Sequence, residues 1–142
     1  MYAPPPGALK FTRKTLTFTG AAGLGATGAV PLFTITGLVN VSLIVGRCTT
    51  SLTSAGGGTL ALGVTGATTL FIAATTGTAL TTTDKIWASA TPQANGIAAP
   101  AALKDIVIGQ DIIGTVAVAN ITGGVLEIDC YYLPLSAGAG LT

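Results

Sequence analysis

Val125-Leu126-Glu127-Ile128-Asp129-Cys130-Tyr131 sets Leu126, Ile128 and Cys130 on one side of an extended chain, and Val125, Glu127, Asp129 and Tyr131 on the other. A period of two is the pattern of a half-buried β-strand with its apolar side against a core. The same period returns through the rest of the chain. Ile112, Val116 and Val118 share a face, as do Leu60, Leu62 and Val64, followed by Leu70 and Ile72. Val39, Val41, Leu43 and Val45 oppose Asn40 and Ser42, Phe33 and Ile35 share a side of Pro31–Thr36, and Thr15–Thr19 alternates polar with apolar. Glycine-rich breaks over residues 20–28, 54–58, 75–77 and 123–124 separate these runs, and glycine supplies the positive φ that tight turns need. About eight short strands divided by such turns predict an all-β fold, a single-domain β-sandwich or jelly roll. Helix signals are scarce: between Ala98 and Asp105, with Pro100 near the start, one turn or a short helix competes with extended chain.

The 142 residues suit one domain, expected over residues 13–135. Residues 1–12 open Met1-Tyr2-Ala3-Pro4-Pro5-Pro6. Consecutive prolines favour an extended polyproline conformation, so this segment is either a loose terminus or an arm that docks with Tyr2 and Leu9 as anchors. Residues 136–142, small and glycine-rich, read as a flexible tail.

Composition narrows the function. Charged residues are 8% and hydrophobic ones 49%, against ~25% charged in typical soluble domains. So few charges imply a surface buried against copies or partners, or a membrane. A spanning helix needs about 18 apolar residues, and the longest candidate, Leu38–Val45, is interrupted by Asn40 and Ser42 and followed by Arg47. A membrane barrel needs strands of about ten residues and aromatic girdles; only Leu38–Cys48 reads that long, and aromatics are 6%. The N-terminus lacks the basic start and apolar centre of a secretory signal, so synthesis in a cytoplasm is expected. The net charge of +1 supplies no electrostatic footprint for nucleic acid.

Catalytic chemistry finds little to stand on. The chain has no histidine, which removes the usual general base, the usual zinc ligand and the Ser–His and Cys–His pairs. Cys48 and Cys130 are expected to be reduced, and no metal or cofactor is expected. Glu127 and Asp129 project from one strand face; such a pair serves glycosidases, or keeps the face soluble or meets Lys and Arg across an interface. The glycines of Gly20–Gly25 and Gly56–Gly58 lack the G-x-x-x-x-G-K-[ST] pattern and read as turns. Lys10, Arg13 and Lys14 precede or open the first strand and Arg47 ends the long third one; they are solvated charges or pair with acids on a neighbouring subunit. Trp87 caps the core or stands exposed as an interface anchor. The candidate partner-interface residues are therefore Tyr2, Leu9, Lys10, Arg13, Lys14, Arg47 and Trp87, with no catalytic, cofactor or metal residue among them.

Lys14-Thr15-Leu16-Thr17-Phe18-Thr19-Gly20-Ala21-Ala22-Gly23-Leu24-Gly25 resembles small structural proteins encoded among the head genes of tailed bacteriophages. Arg47–Leu52, Ala90-Thr91-Pro92, Gly124–Glu127 and Tyr132–Ser136 add to the likeness, which covers most of the chain. The resemblance implies a virion role as a capsid decoration (cement) protein: synthesised in the host cytoplasm, placed on the capsid surface, homotrimeric, and bound to the major capsid protein. No active-site residues come with it. A head spike or fibre base, a tail-tube component and a receptor-binding module stay open beside it. A carbohydrate-binding or glycan-cleaving domain using Glu127, Asp129 and Trp87 is the reading from another class.

Overall fold

Tertiary pairing sorts the alternating runs into two sheets. The computed structural model describes residues 9–98 and 103–142; Tyr2, the rest of residues 1–8, and residues 99–102 of the stretch where a turn or helix competes lie outside it. The described residues form β1 (Lys10–Thr17), β2 (Gly28–Phe33), β3 (Ile35–Thr36), β4 (Val39–Thr53), β5 (Thr59–Val64), β6 (Ala67–Thr76), β7 (Ile86–Trp87), β8 (Leu103–Ile108), β9 (Ile112–Ala117), β10 (Gly123–Pro134) and β11 (Gly140–Leu141). One 3-10 turn, Gly77–Ala79, follows β6. Three of these strands are two residues long, too short to carry a readable period.

The first sheet runs β1-β10-β4-β7, with β8 also on β4; the second runs β2-β9-β5-β6; β11 pairs β3. All pairs are antiparallel. The two sheets pack face to face as a β-sandwich, their inner side chains forming one buried cluster. Leu126, Ile128 and Cys130 enter it from β10 as the alternation predicts, and Val30, Leu62 and Ile112 enter from the second sheet.

Several expectations change where pairing overrides the local period. Opposite β10, Leu43 pairs Tyr131 but Val41 pairs Tyr132, so Ser42 is an extra residue on β4. Such a bulge turns every later side chain over. Val39 and Val41 stay inside, whereas Leu43 and Val45 come out beside Tyr131 and Asp129, and Ile44 takes the core position. In β6, pairing skips from Ile72 to Ala67 while β5 advances from Leu62 to Val64; the surplus residues leave Leu70 exposed and Ile72 buried. Val118 lies past the end of β9 at φ 72, with the Ala119 N–H on Ala117 O at 2.8 Å. This γ-turn points Val118 outward, away from Ile112 and Val116.

The domain edges move too. Residues 10–12, placed in the arm, belong to β1 and pair Tyr132, Tyr131 and Cys130. Within the tail read as flexible, Gly140 and Leu141 pair Thr36 and Ile35, Leu141 is buried, and Thr142 and Thr34 exchange backbone hydrogen bonds of 3.0 and 2.8 Å. Strand pairing, the terminal hydrogen bonds and the buried Leu141 together fix this end of the chain. Leu103–Asp105 is strand rather than helix, held by the pairing of β8 with β4.

Candidate docking face

The outer face of the first sheet carries an ion-pair network. Asp129 stands between Arg13 and Val45, and Glu127 between Thr15 and Arg47. Arg13 Nε and Nη2 donate to the two Asp129 carboxylate oxygens at 2.6 and 3.0 Å, and Arg13 Nε lies 3.5 Å from Glu127. Arg47 Nη2 donates to Glu127 Oε1. Hydrogen bonding to the Asp129 carboxylate, then the charge of Asp129, raises the Arg13 pKa further, so the guanidinium stays ionised. The acids thus meet arginines of their own sheet. Exposed pairs of this kind are worth little: Arg47→Ala is expected to cost under about 1 kcal/mol in urea unfolding, and roughly molar salt should erase the difference.

Beyond the ion pairs the same face turns apolar. Phe11 pairs Tyr131, Tyr131 pairs Leu43, and Leu43 pairs Leu103, so four side chains line up across β1, β10, β4 and β8. Antiparallel partners share a face, and this row lies outside. Phe11, Tyr131 and Leu103 are 48%, 38% and 48% exposed. The Phe11 and Tyr131 rings are tilted by 48° with centroids 4.9 Å apart, and the Arg13 guanidinium sits 5.6 Å over the Phe11 ring. Val107, opposite Asn40 and Leu133, and Leu9, two residues before Phe11, widen the patch. Half of the ten large hydrophobics exposed among the described residues, namely Leu9, Phe11, Leu103, Val107 and Tyr131, are gathered here. Aromatic residues and arginine in an exposed apolar cluster are the composition of protein-binding surfaces.

Of the seven partner-interface candidates, Leu9, Arg13 and Arg47 lie on or beside this face. Lys10 and Lys14 take the opposite phase of β1 from Phe11 and Arg13, so the three basic residues do not form one patch. Lys14 instead lines a pocket of about 290 Å3 with Phe33 and Asp111. Tyr2 lies outside the described residues. Trp87 is corrected as a surface anchor: it is fully buried, and its indole N–H donates to Thr75 Oγ1 at 2.8 Å. It therefore occupies the opposite side of the sheet from Glu127 and Asp129, and the three residues of the glycan reading do not converge. Alternation along the sequence singles out neither Phe11, Leu103 nor Val107, and it puts Leu43 on the same face as Val39 and Val41. Tyr131 was already placed on the outer side of its strand, and its partners depend on register across strands.

Both thiols are buried and free. Burial raises the Cys48 pKa and pushes Cys130 up to about 12, which withholds the reactive thiolate. Among the described residues no group of three His, Cys, Asp or Glu side chains is placed to hold a metal ion, and no helix is long and apolar enough to cross a membrane.

The sequence matches no protein-family model and no curated protein. A chain described as the cyanophage Pam1 capsid asymmetric unit is similar in structure, with a TM-score of 0.56 over 94% of this chain and 93% of that one at 20% identity. At that identity the likeness is one of fold: an all-β chain of this architecture occurs within a bacteriophage capsid.

Proposed function

We propose that this protein is a non-enzymatic structural component of a bacteriophage virion, specifically a decoration (cement) protein on the capsid surface. The exposed aromatic and apolar row on the first sheet carries the reading, because a lone molecule in water gains nothing from leaving such a cluster uncovered. The 8% charge content agrees, as does the similarity in fold to the Pam1 capsid chain. The mechanism is additive. Each copy buries weakly polar surface against its neighbours and the shell, at about 25 cal/mol per Å2 before association costs, and the many copies on a shell add their contributions against internal pressure. The partners are further copies of the chain, with a trimer favoured, and the major capsid protein; neither nucleic acid nor membrane takes part.

Purified protein added to particles that lack it is expected to self-associate and to restore a regular lattice over the head in a cryo-EM reconstruction. Signal confined to a vertex or the tail would move the protein to another virion part. A protein that stays monomeric and leaves the particles bare would end the proposal.

A further inference from the structure

The apolar row leaves its occupant unnamed, but the chain supplies a segment of matching chemistry. Tyr2-Ala3-Pro4-Pro5-Pro6 carries no charged side chain, and neither do the row residues Phe11, Tyr131, Leu43 and Leu103; the ions that flank the row, Arg13 over the Phe11 ring and Asp105 two residues along β8, are already partnered by Asp129 and Asn40. Proline-rich segments are recognised by exposed aromatic rings, because the polyproline conformation is already formed and loses little entropy on docking. The row offers the tilted Phe11 and Tyr131 rings at one end and Leu43 and Leu103 at the other.

The lengths agree. Three strand spacings separate β1 from β8, or ~14 Å, and five residues of polyproline conformation span ~15 Å. The segment leaves the fold at Leu9, beside the row. Only Gly7 and Ala8 separate Pro6 from Leu9. The self-association proposed above makes a second copy the source of the segment. Pairing between copies through the β1 edge is a poor alternative, since that strand carries Lys10, Arg13 and Lys14, and like-charged edges repel.

We propose that residues Tyr2–Pro6 of one copy lie across the Phe11–Tyr131–Leu43–Leu103 row of a neighbouring copy, linking molecules by exchanged arms. The inference rests on the self-association assumed under the proposed function and names the contact that carries it.

A photo-crosslinking amino acid at position 2 tests this directly in a mixture of unlabelled and 15N-labelled full-length protein. The expected products join position 2 of one isotope to the peptide holding Leu43, Leu103 or Tyr131 of the other. Links found only within one isotope, links to other surfaces, or no links would each overturn the proposal. In sedimentation equilibrium, Pro4, Pro5 and Pro6 changed together to serine should weaken self-association roughly tenfold, as should Tyr131→Ser with Leu103→Ser, and combining the sets should add little, because both remove the same contact. Fully additive losses would overturn it. Particle binding separates this failure from that of the virion role. Exchanged arms in a protein that never binds particles would keep the contact and lose the role; capsid binding with position 2 linked elsewhere would do the reverse.

Discussion

Trp87→Ala is expected to destabilise the fold by roughly 4 kcal/mol, the middle of the range for removing a buried aromatic side chain. The indole is fully buried and reaches from β7 in the first sheet to Thr75 on β6 in the second. Truncation would therefore open a cavity between the layers and also strand Thr75, itself completely buried; its hydroxyl would keep only the bond to Ala73 O at 3.0 Å. Against a typical total stability of 5–15 kcal/mol, that loss brings many domains close to unfolding. Urea denaturation followed by far-UV circular dichroism would measure it, since Trp87 is the sole tryptophan and its fluorescence disappears with the substitution. Gly46 supplies a cross-check. A Cβ there would lie 2.9 Å from Trp87 Cε3, closer than packed carbons come, so Gly46→Ala should destabilise the wild-type protein and be better tolerated beside Trp87→Ala. Equal effects in both backgrounds would refute the packing argument.

Alkaline pH should produce the second large effect, through Cys130. Burial moves its pKa from an ordinary 9.0 to about 12. The folded state therefore holds the proton over a range in which the unfolded chain gives it up. Stability is complete below pH 9, falls as the pH climbs from 9 toward 12, and is lower by about 3 kcal/mol near pH 11, at 1.36 kcal/mol per unit. Cys48, also raised by burial, acts in the same direction. Unfolding free energies of the wild type and Cys130→Ala should be compared between pH 8 and 11, because all other groups are common to both proteins and cancel in the difference. The variant is expected to start lower and decline less steeply. Parallel curves would mean that the thiol is accessible to water and hydroxide.

The alternation of β10 was legible from residues 125–131 alone, because the period of a strand is a property of neighbouring residues. It placed Leu126, Ile128 and Cys130 in the core and the two acids outside, as the structure does. The same reasoning went astray on β4, where one surplus residue, Ser42, reverses the phase. Nothing in Val-Asn-Val-Ser-Leu-Ile-Val marks a bulge, since the irregularity exists only in relation to β10. Trp87 was ambiguous for a like reason: a two-residue strand has no period, and its burial depends on Gly46 across the sheet and Thr75 in the other layer. Leu141 was invisible as an anchor because a lone leucine in a glycine-rich tail carries no pattern.

What the sequence by itself determined is the class of the molecule: strands throughout, scarcely charged and without histidine. Which residues face outward together was decided by tertiary structure alone. Phe11, Leu43, Leu103 and Tyr131 are scattered over more than a hundred positions and become a row only when four strands fix their register. Arg13 likewise acquires Asp129 only across the β1–β10 ladder. The physical reason is one of range: alternation is set by bonds between adjacent residues, whereas a surface is set by hydrogen-bonded partners far apart in the chain, and a shift of one residue in that pairing carries every later side chain to the other face.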